Sequence, residues 1–246
     1  VSDPAPSDTP CECRAAFVEV SLGQNLIKTR KKWCDHYANE DGRITAWMFV
    51  PPGIVSEILD GQIQECPADL AEDSTYFKIA YDWMKESMDS AGLPGRKPGI
   101  TPWWCWISLW GERVKPSAEG SQPGDVLLEL SLPKDQLLLS DFYMWHAPLN
   151  YWCMLDEPES TQFEAELAAA DLSLYDDVPV PEPFHSRVQA GWNQIFSLDL
   201  KNDFTYDFEA KTIQGVFWSL RPEFVVGVVE PAESVEEPIE RDECEE

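Results

Sequence analysis

Val126 to Cys153, VLLELSLPKDQLLLSDFYMWHAPLNYWC, is the stretch whose reading decides the fold. Two apolar runs, DVLLELSL (125–132) and QLLLSDF (136–142), are too short for buried helices and are bounded by turn residues. They read as strands. The connection, Pro133-Lys134-Asp135, is short enough to predict that the two strands are neighbours. A polar cluster follows the second strand: Ser140, Asp141, Trp145, His146 and Asn150.

Outward from there, more strands appear on both sides. ITAWMFV (44–50) is rich in β-branched and aromatic residues, and Pro51-Pro52-Gly53 breaks it. TPWWCWISLW (101–110) places Trp104, Trp106 and Trp110 on one face and Trp103, Cys105, Ile107 and Leu109 on the other. A strand apolar on both faces is expected to be buried on both sides, so core is the first role for these tryptophans. Their number also suits a groove for a planar ligand. TIQGVFWSL (212–220) and EFVVGVVE (223–230) read as the final strands.

Helices lie mainly before and between these runs. IVSEILDG (54–61) reads as a short helix closed by Gly61. The clearest helix is capped by Ser74, carries Tyr76, Ile79, Ala80, Trp83, Met88 and Ala91 at helical spacing, and ends at Gly92 and Pro94. An acidic helix is expected at roughly 161–171, and GWNQIFSLDL (191–200) reads as a helix or turn leading into a strand. Strands and helices do not alternate regularly. The expectation is therefore a single α+β domain, with a mixed or mostly antiparallel sheet and a few helices. Its compact part is expected at 43–230, with 155–190 as an insertion, after an arm at 1–42 and before a disordered acidic tail at 231–246.

The chain has 246 residues and a net charge of −27, with 45 acidic against 18 basic residues. Such a field disfavours nucleic-acid phosphates and anionic membranes. It suits a solubilising surface, adaptation to high salt, or an acidic face that binds a basic protein or mimics nucleic acid. Lys28-Thr29-Arg30-Lys31-Lys32 is the exception, read first as a helix face that neutralises nearby carboxylates. The N-terminus, VSDPAPSDTPCEC, has neither the basic nor the apolar region of a signal peptide, and no run of apolar residues is long enough to span a bilayer. Seven cysteines at wide spacing do not form a disulfide framework, which favours a reducing cytoplasm. Cys11-x-Cys13 and Cys34-x-His36 have too few intervening residues for the usual zinc pairs, so no metal is expected.

GxGxxG, P-loop, serine-hydrolase elbow and zinc-hydrolase motifs are all missing. The candidate chemistry therefore rests on the polar cluster. His146 ordinarily titrates near neutral pH and suits acid–base work. Asp141 would orient it or bind a ribose hydroxyl, Trp145 would stack on a planar ring, and Asn150 would bond a base or amide. The structural alternative makes Asp141 a turn cap, with His146 and Asn150 satisfying carbonyls. Glu129, in mid-strand, is a further catalytic candidate, although exposed strand carboxylates are common.

Three motifs carry a resemblance: AYDWM (80–84), VLLELSLPKDQLLLSDFYMWHAPLN (126–150), and WNQIF with IQGVFWSL (192–196 and 213–220). Together they resemble a bacterial and phage family catalogued as domain of unknown function 3841, over roughly 43–230. That name implies no activity. The order of elements also resembles, more loosely, small ADP-ribosyltransferases, which bind NAD in a cleft between two short sheets. In that family the first strand commonly offers a His or Arg and a late strand a Glu or Gln. The nearest matches are Arg43 and Gln214, and no complete triad is visible. The resemblance implies a nucleotide-binding domain with NAD as cofactor and a macromolecular target. Catalysis would fall to His146, Asp141, Gln214 and Glu129, and cofactor binding to Arg43, Ser140, Trp145 and Asn150. The competing expectation is a non-catalytic acidic inhibitor of a basic partner.

Overall fold

Residues 12–66, 75–117, 122, 124–201 and 205–229 are described by a computed structural model, with 12–23 and 75–76 described as backbone alone. Within them one sheet of six strands organises the chain: β1 (Arg43–Val50), β2 (Trp103–Ser108), β3 (Val126–Pro133), β4 (Leu138–Asp141), β5 (Ile213–Phe217) and β6 (Val225–Val229). The order across the sheet is β4-β5-β2-β1-β3-β6, and every neighbouring pair is antiparallel. Six α-helices pack on it: α1 (Glu12–Tyr37), α2 (Val55–Leu59), α3 (Thr75–Ser90), α4 (Phe142–Leu149), α5 (Glu159–Ala169) and α6 (Phe184–Trp192). The expected single α+β domain is the one observed. Ser74, expected to cap α3, and the acidic tail lie outside the described residues.

Period-2 alternation divides the apolar residues into two cores. On one face Ile44, Ala46, Met48, Leu128, Leu130, Cys105, Ile107 and Phe217 pack with Trp33, Cys34 and Tyr37 of α1 and Ile58 of α2. On the other, Leu138 and Val216 pack under Trp83 and Met84 of α3, Met144 and Trp145 of α4, and Trp192 of α6. Of the expected arm at 1–42, residues 12–37 instead form α1. Leu26, Trp33, Cys34 and Tyr37 are buried at helical spacing, so the hydrophobic effect holds this helix on the sheet. Lys28, Lys31 and Lys32 of its basic run are exposed and Lys32 pairs with Asp199, while Arg30 is half-buried and donates to the Asp135 carbonyl. The 155–190 stretch also contributes to the core, because Phe163, Leu167, Val180 and Val188 are buried.

Two local expectations differ. GWNQIFSLDL contains the end of α6 and a 3-10 turn at Asn193–Phe196, with no strand among residues 197–200. Gly191 is needed there, because a Cβ would come 2.8 Å from the Met154 carbonyl oxygen. Trp110 lies beyond β2, at φ 51° and 57% exposed, so it does not continue the Trp104–Trp106 face.

The larger difference concerns β3 and β4. They are joined through a 3-10 turn at Lys134–Gln136, yet three strands lie between them in the sheet. Four strand-to-strand steps at ~4.8 Å would span ~19 Å in a flat sheet. Five fully extended residues reach at most ~18 Å, and a 3-10 turn shortens that further. The sheet must therefore curl. It does so by resting on two three-stranded halves, β4-β5-β2 and β1-β3-β6. β1 and β3 align over eight residue pairs, whereas β1 and β2 align at one, Trp47 opposite Trp106. That seam is where the two halves meet.

Candidate functional site

The seam has a continuous row of side chains across it. Ser140 pairs with Gln214, Gln214 with Trp106, Trp106 with Trp47, and Trp47 with Glu129. Residues directly opposite in antiparallel strands point to the same face. Five residues from five strands therefore line one face of the sheet, with the two tryptophans at the centre. Ser140, Gln214 and Trp47 are buried, while Trp106 and Glu129 are half-buried. Gln214 Nε2 donates to Ser140 Oγ at 3.3 Å. Opposite Glu129 stands Gly227, which presents no side chain.

α4 roofs one end of this row. Phe142, its first residue, meets the Trp106 ring edge-on at 4.9 Å, and His146, one turn later, meets Phe142 at 5.0 Å. His146 Nδ1 lies 3.1 Å from the Phe142 carbonyl and 3.2 Å from that of Tyr143. Those acceptors place the proton on Nδ1 in the neutral ring, so Nε2 carries the lone pair. A half-buried imidazole thus stands one ring away from Trp106.

Asp141 does not serve this histidine. It ends β4 opposite Ile213, on the sheet face away from Ser140. Its Oδ1 accepts from the backbone N–H groups of Tyr143 at 2.9 Å and Met144 at 3.3 Å, capping α4. Its Oδ2 accepts from Lys211 Nζ at 2.8 Å and from Thr205 Oγ1, and Lys211 Nζ also lies 2.6 Å from Thr205 Oγ1. Both charged side chains are essentially inaccessible. The carboxylate is fully committed to structure, which corrects its expected catalytic role. Neither Lys211 nor Thr205 stood out in the sequence, because nothing local marks a lysine seventy residues away as its partner.

Trp145 is likewise a core residue. It packs on Trp104 at 4.8 Å and on Tyr81 at 5.9 Å, and only 4% of it is exposed, so it cannot stack on a ligand. Asn150 sits past the C-terminal end of α4, where its amide donates to the His146 carbonyl at 2.7 Å. It caps a helix away from the row. Arg43 shares the face of Trp47 by alternation but lies four residues along β1. Its Nε donates to Ser131 Oγ at 2.8 Å and its Nη2 to the Ser131 carbonyl. The structure therefore joins Ser140, Gln214 and Glu129 in one row, with His146 beside it. It places Arg43 further along the same face and excludes Asp141, Trp145 and Asn150.

Trp47 is the site residue that the sequence reading passed over, and Trp106 was read there first as core. Their signal was present in the double-faced apolar pattern of WWCWIS and in a Trp at mid-strand in RITAWMFV. Only the pairing register sets them side by side. Among the described residues, no three His, Cys, Asp or Glu side chains gather in a way that could hold a metal ion. No described helix is long and apolar enough to cross a membrane.

A family model described as "Domain of unknown function (DUF3841)" matches residues 64–226. The match runs from before α3 to the start of β6 and leaves out β1. No curated protein and no solved structure matches the chain.

Proposed function

The chain belongs to the DUF3841 family, whose description names no activity, and from its own geometry we propose that it is a nucleotide-binding domain that takes NAD at the β1–β2 seam. The observation that carries this reading is the division of the sheet into two short halves, with one row of side chains crossing the junction. Hydrogen-bonding groups flank two adjacent planar rings along that row, which suits a ligand with an aromatic base and ribose hydroxyls. Trp106 and Phe142 offer ring edges and faces for the nicotinamide end. Gln214, once its bond to Ser140 Oγ opens, offers an amide to a ribose hydroxyl, and Glu129 offers a carboxylate three strands away. Arg43 supplies positive charge on the same face for the pyrophosphate, which the overall charge of −27 would otherwise repel.

The reaction that fits is transfer of ADP-ribose. The bond from ribose C1′ to the nicotinamide nitrogen breaks, and nicotinamide leaves as a neutral base. The ribose passes through an oxocarbenium-like state, which Gln214 steadies through the ring hydroxyls. A nucleophile on a macromolecular target then bonds to C1′. It gives up its proton to Glu129 or to the Nε2 of His146.

Calorimetry with NAD and an assay for released nicotinamide test this directly. Saturable binding is expected, with nicotinamide released. Trp106→Ala should weaken binding by about tenfold, the loss of ~1.4 kcal/mol of ring contact. Gln214→Ala should keep most binding and slow release by about a hundredfold, in line with losing one preorganised donor. A folded wild-type protein that neither binds NAD nor releases nicotinamide would sink the proposal.

A further inference from the structure

A second feature lies at the far end of α4 from the seam. A cavity of about 530 Å³ opens between α3, α5 and the turn after α4, with Phe77, Trp152, Tyr175, Phe163, Glu164 and Asn150 among its walls. Two of these rings are unusually exposed for their size: Trp152 at 53% and Tyr175 at 85%. The segment that forms its rim is strongly acidic. Eight carboxylates and no Lys or Arg occur between Leu155 and Asp177. The Cys153 thiol in the cavity wall is pushed up to about 11 by burial.

Aromatic faces beside carboxylates attract cations, and the planar guanidinium suits them best because it stacks and accepts bidentate pairing at once. The protein already uses this arrangement at the edge of the same cavity. Arg187 lies 4.6 Å above the Phe163 ring while its Nη1 pairs with Glu166. The neighbouring cation on α3, Lys78, pairs with Asp82. We infer that the cavity binds an arginine side chain presented by a basic segment of a partner protein, with Trp152 and Tyr175 stacking on the guanidinium and Glu164 meeting its charge. The volume admits the arginine together with the flanking backbone, since cavities of this size hold ligands larger than one side chain. The overall field of the protein would steer such a segment in from a distance. This inference does not rest on NAD binding at the seam, which lies at the other end of α4.

The test uses the whole chain and a fluorescein-labelled peptide carrying two arginines in a Gly-Ser background. The same peptide with citrulline, which keeps the shape and removes the charge, is the control. Anisotropy should show saturable binding of the arginine peptide and at least a tenfold loss with citrulline. Trp152→Ala should weaken binding by about tenfold. The isosteric Glu164→Gln should weaken it by about threefold, a modest effect because this carboxylate is exposed. Asp60→Asn, an exposed carboxylate at the end of α2 on the opposite side of the sheet, should change it less than twofold. Equal losses from Asp60→Asn and Glu164→Gln, with none from Trp152→Ala, would mean only general attraction to an acidic surface and would overturn the inference. So would equal binding of the citrulline peptide, or no binding of either.

Discussion

The two halves of the sheet are built from the same kind of sequence but finished differently. β4, β5 and β2 are covered on both faces: Leu139, Ile213 and Cys105 on one side, Leu138, Val216 and Trp104 under α3 and α4 on the other. β1 and β3 are sealed on the first face in the same way. On the second face, Thr45, Phe49, Glu129 and Ser131 remain half-buried, and the buried Trp47 and Leu127 join neither core cluster. One half is therefore a stability element and the other half offers an accessible surface beside it. The lesson is that function in this fold is expected where the second layer of helices stops, at the seam. There Trp47 is buried, while Trp106 and Glu129 remain half-buried.

The comparison is broken most severely in the closed half. Lys211→Met leaves the Asp141 carboxylate buried, with the charge of its partner gone. Removing one partner of a buried ion pair costs ~3–5 kcal/mol, so urea unfolding should shift by that amount or the protein should fail to fold. Changing Asp141 and Lys211 together to apolar residues should recover part of the loss. A Lys211→Met protein as stable as the wild type would mean that this half is not held as described.

A smaller effect tests the core beneath both halves. Burial pushes the Cys34 thiol up from 9.0 to about 12, while its Sγ donates to the Leu137 carbonyl at 3.4 Å. Burial raises the Cys105 thiol as well. Between pH 9 and 12 an unfolded chain releases the Cys34 proton while the folded one keeps it. The stability contributed by this group is thus complete below pH 9 and falls as pH rises through that window. Urea midpoints measured at pH 8 and pH 10 should fall more steeply for the wild type than for Cys34→Ala. Alkylation mapped by mass spectrometry at pH 8 should leave Cys34 and Cys105 unmodified until the protein unfolds. Early alkylation of either would show that the core opens without global unfolding.

The smallest change in stability is expected in the open half. Glu129→Gln keeps the shape of a half-buried strand residue and should alter stability by no more than ~0.5 kcal/mol. If the seam is the NAD site, the same change should still slow nicotinamide release. A large loss of stability would show that Glu129 belongs to the closed structure and would erase the distinction between the halves.

How much of this was legible depends on the range of the interaction. The strands at 43–50, 103–108 and 126–133 follow from apolar runs and alternation, which are local. α4 was hidden, because its eight residues include Pro148 and follow a strand directly. The side chain of Asp141 makes that helix possible by capping it. The same cap reading had been set beside the catalytic one, and geometry decided between them. His185 is half-buried, with Nδ1 2.6 Å from the Tyr151 hydroxyl. Nothing in the spacing of those two residues announces the contact.

By itself, the sequence determined the class of the fold, the identity of its strands and of α3, and the acidity of its surface. Those properties depend on side-chain periodicity and composition, which each segment carries with it. The tertiary structure alone decided that β3 and β4, four residues apart in the chain, stand in different halves of a curled sheet with three strands between them. It alone set Gln214, Trp106, Trp47 and Glu129 in one row. Strand order and register are fixed by contacts between distant segments, where a shift of one residue would send every side chain to the other face.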